Sequence, residues 1–409
     1  MADKTIYENS VTLIGSLPPV KGISPYCYEL MKSLSRSIHV EFIGFEKMYP
    51  DFLYPGGKSK EEGVIPDFSK IPDVSIRNIL TYYNPLSWIW AGLSIKSKVV
   101  HAQWWSHVLA PIYFVILSLC KIRGKKIIIT VHNVTPHEKN NFNQYLNKII
   151  LLFGDQFIVH SLKNVEELHD IYGVNKEKII RIPHGISRIK SSKIEKKVSR
   201  EKLGLPISKK IILCFGGIRD YKGIDIILEA LSILSKKTDN VLLVIAGQPW
   251  VDWNKYEEII QKNNLNDYVK LFLKFIPSNE MDYFYYASDL AVLPYRNFTS
   301  QSGAGSEALS YKIPLIVSDV GGLPELVKDK NCIVEQNNPE DLASKILTVL
   351  NDENLFMKLS RESGELADKY SWNNVAKETV NLYEKCLKTQ NIKNKNSKET
   401  FNNVKKFRL

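Results

Sequence analysis

The sequence has few cysteines and lacks a long apolar run, and each shortage excludes a class of protein. Its five cysteines are odd in number and form no C-x-x-C pair, which excludes a disulfide framework or zinc ribbon and favours a reducing compartment. The start of the chain carries Lys4 and Glu8 where a signal peptide has its apolar region. The longest apolar run, 108–120, falls short of the about 20 residues that span a bilayer. We therefore expect a cytoplasmic protein.

Charge is the next feature of the composition. The 409 residues are 44% hydrophobic and 24% charged, which is typical of soluble domains, and their number predicts two or three of them. The net charge of +11 resides in the first half and the last twenty or so residues, whereas 201–387 are slightly acidic. This asymmetry indicates a face that meets an anionic surface, although solvated lysines are the alternative. Without a helix-turn-helix, zinc finger or RNP pattern, a membrane fits better than nucleic acid.

Short apolar strands alternate with helical stretches along the chain. The strands are expected at 10–15, 38–45, 98–102, 126–132, 156–160, 179–182, 210–215, 269–275, 290–293 and 314–318. Such alternation predicts parallel sheets with right-handed crossovers, hence an α/β fold of two Rossmann-like domains facing a central cleft. We expect domains at 1–190 and 205–370, a lysine-rich linker near 190–205, a helix at 371–388 that packs back across the hinge, and a basic, disordered tail at 389–409.

One helical stretch, 104–120, is apolar at nearly every position. Pro111 should kink this helix or start it afresh. A helix that is apolar all round is normally buried in the core. Four tryptophans lie near it and basic residues at 121–126 follow it, so contact with a membrane interface is the alternative.

Polar loops after two strand ends carry the candidate chemistry. In parallel sheets, ligands bind beyond the carboxyl ends of the strands. Gly303-Ala304-Gly305 leads into a helix, whose N-terminal N–H groups suit phosphate. We expect Glu307 in the first helical turn, where its carboxylate would accept hydrogen bonds from sugar hydroxyls. Arg219 and Lys222 follow the strand 210–215 beside glycines, so both cations can reach one diphosphate. His132 ends the strand 126–132, which favours a place at the same kind of edge.

These residues resemble the donor site of the retaining glycosyltransferases of family 4. Glu307-Ala308 matches the second Glu of the family's Glu-x7-Glu pattern, and Lys312-Ile313-Pro314 matches the strand entry that follows. Gly321-Gly322-Leu323-Pro324-Glu325 matches its Gly-Gly-x-x-Glu loop. The first Glu is replaced by Thr299. The resemblance covers nearly the whole chain and implies the GT-B architecture.

The resemblance also implies a role for each candidate residue. His132 would bind a hydroxyl of the reacting sugar, while Arg219 and Lys222 would bind the donor diphosphate near Glu307; these four form the catalytic set. The base would be held through the main chain around Ile276, and Gly22 would face the bond-forming site. The donor-binding set is Gly22, Gly217, Ile276, Thr299, Gln301, Ser302, Gly303 and Ala304, in which Gln301 and Ser302 replace hydrogen bonds of the absent Glu.

The implied reaction is retaining transfer of a sugar from a nucleotide diphosphate sugar to a glycan or lipid-linked acceptor in cell-surface polysaccharide or glycoconjugate synthesis. The donor's own phosphate would take the acceptor proton. The sequence contains no Asp-x-Asp, so no metal is expected, and cationic side chains with a helix N-terminus would neutralise the leaving nucleotide. The basic regions suggest a peripheral position on the inner face of the plasma membrane.

Three other functions fit parts of the pattern. Residues 303–308 spell G-x-G-x-x-A, with Asp319 ending the next strand, as in an NAD-dependent oxidoreductase. Against this, Gly303 lies eight positions after Tyr295, whereas that fingerprint turns directly off its strand. A GT-B subunit that binds without catalysing, and a nucleotide-sugar epimerase of the same fold, are further alternatives.

Overall fold

A computed structural model describes residues 10–20, 22–50, 66–134, 141–186, 194–298 and 301–388. The chain divides into two compact units. The first runs to Gly185 and takes up the chain again at Trp372, and the second is Ile186–Ser371. Each unit contains one sheet whose strand pairs are parallel, so both are Rossmann-like α/β domains.

The first unit has a seven-stranded sheet of order β3-β2-β1-β4-β5-β6-β7. Its strands are β1 (Ser10–Ile14), β2 (His39–Lys47), β3 (Val74–Thr81), β4 (Val99–Trp104), β5 (Lys126–Val131), β6 (Gln156–Val159) and β7 (Ile179–Arg181). Its helices are α1 (Ser24–Leu34), α2 (Pro85–Ser94), α3 (Ala110–Ile122), α4 (Asn141–Leu151), α5 (Leu162–Tyr172) and a C-terminal helix at 372–388.

Two apolar cores lie on the two faces of this sheet. The core on one face joins α2 to α5, with Ile116 and Ile150 among its buried side chains. The other core joins α1 to the C-terminal helix through residues such as Leu30 and Val375. The helices divide between the two faces because each crossover is right-handed and the direction of strand addition changes. From β1 to β3 the strands are added toward one edge of the sheet, and from β4 to β7 they are added toward the other edge.

The second unit has a six-stranded sheet of order β10-β9-β8-β11-β12-β13. Its strands are β8 (Lys210–Phe215), β9 (Val241–Ala246), β10 (Val269–Phe272), β11 (Leu290–Leu293), β12 (Leu315–Ser318) and β13 (Ile333–Val334). Its helices are α6 (Lys196–Leu203), α7 (Ile224–Ser235), α8 (Asn254–Lys262), α9 (Ser278–Ala287), α10 (Gly303–Ser310), α11 (Pro339–Asn351) and α12 (Glu353–Lys369). The strand order reverses between β8 and β11, which places the topological switch point there.

Two sequence predictions need correction. The linker expected near 190–205 is in part the helix α6, whose Arg200 forms a buried ion pair with Asp289 at 2.7 Å. The apolar helix expected over 104–120 begins later, because Trp104 belongs to β4 and Pro111 stands in the first turn of α3. Pro111 therefore starts the helix, as one of the two alternatives proposed. None of the described helices combines the length and apolar character that a membrane span requires.

Candidate functional site

The switch point of the second unit brings two distant loops together. The loop after β8 carries Lys222, and the loop after β11 carries Tyr295. β8 and β11 are neighbours in the sheet. The chain after β8 leads to β9 on one side of the pair, and the chain after β11 leads to β12 on the other side. The loops therefore diverge and leave a crevice, which is where open α/β sheets bind ligands.

Lys222 is a buried cation in this crevice. Its Nζ donates a hydrogen bond to the Tyr295 hydroxyl at 2.6 Å and lies 4.7 Å from the centre of the Tyr295 ring. Within the described ranges, no carboxylate forms an ion pair with it. Burial lowers the pKa of Lys222, because an ammonium group loses its hydration there. A buried ammonium without a counter-charge favours an anionic ligand.

The same hydroxyl connects Lys222 to the start of α10. The Tyr295 and Ser302 hydroxyl oxygens lie 3.0 Å apart, and Ser302 caps the helix by accepting a hydrogen bond from the Gly305 N–H at 3.4 Å. The first N–H groups of a helix, here those of Gly303 and Ala304, have no partner within the helix. Gly303 is exposed, and a Cβ on it would meet no atom within 4 Å. A buried cation and an open helix N-terminus thus lie together, as phosphate binding requires.

A cavity of about 460 Å³ lies beside this anion site. Its lining residues come from the loops after β8, β9 and β10: Phe215, Gly216, Gly217, Gly247, Gln248, Pro249, Trp250, Phe275 and Ile276. Arg219 is exposed and its guanidinium lies 5.2 Å from the Trp250 ring. Gly216 joins the two parts of the site, because a Cβ built on it would lie 3.2 Å from the Lys222 Nζ.

Glu307 lies one turn further into α10 than the sequence predicted. The helix begins at Gly303, so Glu307 is its fifth residue rather than part of its first turn. Burial raises the pKa of Glu307 to about 7, and the nearby carboxyl of Asp282 adds to the effect. Within the described part of the chain, no hydrogen bond or ion pair reaches the Glu307 carboxyl. It can therefore change protonation near neutral pH or accept hydrogen bonds from a ligand.

His132 belongs to a cluster of buried aromatic and imidazole rings in the first unit. Its Nε2 lies 3.0 Å from the side-chain oxygen of Gln103, and its Nδ1 lies 3.3 Å from His160 Nε2. Tyr26 contacts the rings of His132, His160 and His184 with centroid distances of 4.7, 5.2 and 5.0 Å. Burial lowers the pKa of all three histidines, that of His160 to about 3, so the cluster is uncharged at neutral pH.

One carbonyl fixes the protons of this cluster. The Ile182 carbonyl accepts a hydrogen bond from His160 Nδ1 at 2.9 Å, so Nδ1 of His160 carries the proton and its Nε2 accepts. The partner, His132 Nδ1, must then donate, which leaves His132 Nε2 as an acceptor. His132 Nε2 can accept a hydrogen bond from the Gln103 side chain only if the NH₂ of that amide faces it. Rotating the amide by 180° exchanges its oxygen and NH₂ and so allows this bond. His132 therefore offers an acceptor nitrogen on the Gln103 side.

The predicted residues fall into three groups. The structure brings Lys222, Ser302, Gly303, Ala304 and Glu307 together at α10, with Gln301 buried next to Ser302; Arg219, Gly217 and Ile276 lie at the cavity. Gly22 and His132 belong to the first unit, where Gly22 is exposed with φ +99°. Thr299 lies outside the described residues.

Several residues of the site were missed from the sequence, and one alternative is weakened. Tyr295 and Trp250 each follow the end of a strand. His160 and His184 follow β6 and β7, just as His132 follows β5. That shared placement after consecutive parallel strands was the available signal. The oxidoreductase alternative fits poorly, because α10 begins well after β11 ends at Leu293 and not in a tight turn.

Sequence families match both units. The family described as Glycosyltransferase Family 4 matches residues 20–188, and the family described as Glycosyl transferases group 1 matches residues 195–369. Together they extend over most of the chain.

Individual proteins agree with this match. The chain is 32% identical over 238 residues to an uncharacterized glycosyltransferase of Methanocaldococcus jannaschii, covering 56% of this chain and 59% of that protein. It is 25% identical over 202 residues to a D-inositol 3-phosphate glycosyltransferase of Corynebacterium glutamicum, covering 47% and 48%. The chain thus spans about half the length of these relatives.

Solved structures share the fold. HepE of Anabaena, crystallised in complex with UDP, superposes with a TM-score of 0.70 at 15% identity, covering 92% of this chain and 100% of that one. Sucrose-phosphate synthase of Thermosynechococcus elongatus has a TM-score of 0.67 at 18% identity, covering 93% and 100%.

Proposed function

This chain belongs to the GT-B glycosyltransferases with group 1 and family 4 domains, and on that premise we propose that it transfers a sugar from a nucleotide diphosphate sugar to a glycan or lipid-linked acceptor. The observation that carries the proposal is Lys222. Its buried ammonium lacks a carboxylate partner among the described residues and lies beside the N-terminus of α10. A diphosphate supplies the missing negative charge.

The cavity next to Lys222 suits the nucleoside part of such a donor. Trp250 and Phe275 are exposed aromatic side chains on its wall, and its glycines allow a ligand to approach the backbone. Ile276 lies at the far wall, where main-chain groups would hold the base. Arg219, which is exposed above Trp250, would swing onto the diphosphate as a second cation. HepE, which shares the fold, was crystallised with UDP.

The chemical step would use charge neutralisation rather than a protein nucleophile. Lys222, Arg219 and the α10 N-terminus would stabilise the diphosphate as its bond to the sugar breaks, so we propose that no metal is required. The acceptor would attack the face that the nucleotide leaves, with retention of configuration, and its proton would pass to a donor phosphate oxygen. Glu307 and His132 would position the sugar through hydrogen bonds to its hydroxyls.

We also propose an acceptor class and a location for the transfer. Relatives of this chain include D-inositol 3-phosphate glycosyltransferases, whose name indicates a small polar acceptor. The net charge of +11 and the tryptophan-rich region of the first unit favour an acceptor presented at an anionic surface. We place the transfer at the cytoplasmic face of the plasma membrane, in polysaccharide or glycoconjugate synthesis.

A donor screen tests this function. The purified chain is heated with UDP-, GDP- and ADP-sugars and with NAD, and release of free nucleotide is followed with and without EDTA. We expect one nucleotide sugar to stabilise the protein and to be turned over with EDTA present. Arg219→Ala should lose the stabilisation, whereas Lys237→Ala, at an exposed lysine outside the site, should keep it. Stabilisation by NAD alone, or a donor that binds without turnover with any acceptor, would contradict catalysis by transfer.

A further inference from the structure

The outer faces of three adjacent helices in the first unit share an uncommon composition. α2 packs on α3, and α3 packs on α4, all on the same face of the sheet. Nine large apolar side chains are exposed to solvent, eight on these helices and one directly after α4: Leu86, Ile89, Trp90, Leu93, Phe114, Ile122, Phe142, Tyr145 and Leu152. We call these residues the outer helix surface. Contiguous exposed apolar surface of this kind marks an interaction site.

In α2, the exposed residues lie on the side of the helix that faces away from α3. Leu86, Ile89, Trp90 and Leu93 recur at helical spacing, so they form one stripe along the helix. The opposite side carries the small residue Gly92, where a Cβ would lie 2.9 Å from a methyl carbon of Leu119 in α3. The close approach of α2 to α3 therefore uses its small residues. The four residues of the stripe remain outside, at 73% exposure for Leu86 and 53% for Trp90.

The charge on this face is mainly positive. The sequence contains no Asp or Glu between Asp73 and Glu138, and α4 contains none either. The cations are exposed Lys121 and Arg123 at the end of α3, and exposed Lys148 on α4; of these, Lys121 forms an ion pair with Asp155 at 2.9 Å. Arg123 also donates a hydrogen bond to the Gly92 carbonyl at 2.8 Å, which holds this cation beside the α2 stripe.

We propose that the outer helix surface is a docking site for an anionic lipid bilayer. Trp90 and Tyr145 of this surface, with exposed Tyr83 just before α2, supply the amphipathic rings that favour the headgroup level, and the lysines and arginine attract anionic headgroups. A second copy of this chain fits less well, because Asp155 is already paired with Lys121, so pairing the surface with itself would bring Arg123 and Lys148 of the two copies together. The inference specifies the membrane partner in the proposed function, and its physical basis is independent of the donor site.

Vesicle flotation tests the docking site. The full chain is mixed with vesicles of phosphatidylcholine alone, or of phosphatidylcholine and phosphatidylglycerol in equal amounts, and the bound fraction is measured. We expect binding to the anionic vesicles that weakens with added salt. The double substitution Trp90→Ser/Leu93→Ser should lower it at least about tenfold, because two apolar side chains no longer enter the bilayer. Lys148→Gln should lower it about fivefold on anionic vesicles only.

Matched variants and a second measurement separate the outcomes. Met357→Ser removes an equally exposed apolar side chain from α12, outside the surface, and should bind as the parent does. Lys222→Met, which disables the donor site, should also keep vesicle binding, so failure of the proposed transfer would not affect this test. Unchanged flotation of the double variant would overturn the docking site. So would a lipid-free dimer, seen by analytical ultracentrifugation, that the double substitution dissociates.

Discussion

The Lys222 ammonium donates a hydrogen bond to the Tyr295 hydroxyl at 2.6 Å, although the two residues lie 73 positions apart in the sequence. This bond crosses the switch point between β8 and β11 and continues through Ser302 to the N-terminus of α10. It holds a cation in a position where no carboxylate of the described residues compensates its charge. The site is therefore preorganised for an anion, because the free-energy cost of burying the ammonium is met when the protein folds and not when a ligand binds.

Removal of the Tyr295 hydroxyl should weaken the fold and the site together. Tyr295→Phe deprives a buried ammonium of its hydrogen bond, and we expect the free energy of unfolding to fall by about 2 kcal/mol. Urea unfolding measures the change. Tyr286→Phe is the matched control, because the buried Tyr286 hydroxyl has no hydrogen-bond partner within the described residues. Equal effects of the two substitutions would show that the Lys222 bond contributes nothing.

Alanine substitutions at two glycines of the site should differ in their effect on stability. A Cβ at Gly247, whose φ is +152°, would lie 2.1 Å from the Gly216 carbonyl oxygen, so Gly247→Ala should destabilise the second unit by several kcal/mol, on the order of 3. A Cβ at Gly303 meets no atom, so Gly303→Ala should change stability by less than about 0.5 kcal/mol. It should nevertheless weaken nucleotide sugar binding, since the methyl group occupies the phosphate approach. Unchanged binding in Gly303→Ala would place the phosphate elsewhere.

Glu307 should make stability depend on pH near neutrality. Its pKa of about 7 in the folded protein lies above the ordinary value of 4.5, so the folded state holds its proton longer than the unfolded state does. The favourable contribution of the protonated form is complete below pH 4.5 and is lost as the pH rises to about 7. Glu307→Gln removes this dependence and should exceed the parent in stability above that pH, by up to about 3 kcal/mol. Urea unfolding across the window measures it, and a pH-independent difference between the two proteins would contradict the assignment.

The histidine cluster should resist protonation until the first unit unfolds. Burial lowers the pKa of His160 to about 3 from an ordinary value of 6.5, and it does the same to His101, whose Nε2 lies 3.1 Å from the Gln103 side-chain nitrogen. Because the unfolded chain binds protons first, stability is complete above pH 6.5 and is lost as the pH falls toward 3. The imidazole resonances of these residues in NMR spectra should keep their neutral positions through that fall, with His132 as the Nδ1–H tautomer. Titration of either residue near its ordinary pKa would contradict the buried, uncharged cluster.

The fold and the cations were predictable from the sequence for a common reason. Short apolar runs such as Leu290–Leu293 and Ile211–Leu213 have the strand period and length, and Arg219 and Lys222 stand close together after one of them. Local spacing was sufficient for these features. The strand β3 was missed, because Val74–Thr81 is half-exposed and carries Arg77 and Asn78, which weaken its apolar pattern. The strand β9 was missed although Val241–Ala246 is apolar and buried throughout.

The partners of the predicted residues depend on strand order, which the sequence does not state. Tyr295 meets Lys222 only because β11 lies next to β8 rather than next to β10. His160 and His184 join His132 because β5, β6 and β7 are consecutive in their sheet. Glu307 was placed one turn too early because glycines 303 and 305 suggested a loop, whereas the Ser302 cap starts the helix before them.

The most direct test of the account is calorimetric titration of the parent, Lys222→Met and Lys237→Met with UDP, GDP and ADP. Methionine keeps the volume and apolar stem of lysine but removes its charge, and Lys237 is an exposed lysine away from the site. We expect one nucleotide to bind the parent and Lys237→Met equally, and to bind Lys222→Met about a hundredfold more weakly, as loss of a buried charge-assisted bond implies. Equal affinity for all three proteins would contradict a diphosphate site at Lys222.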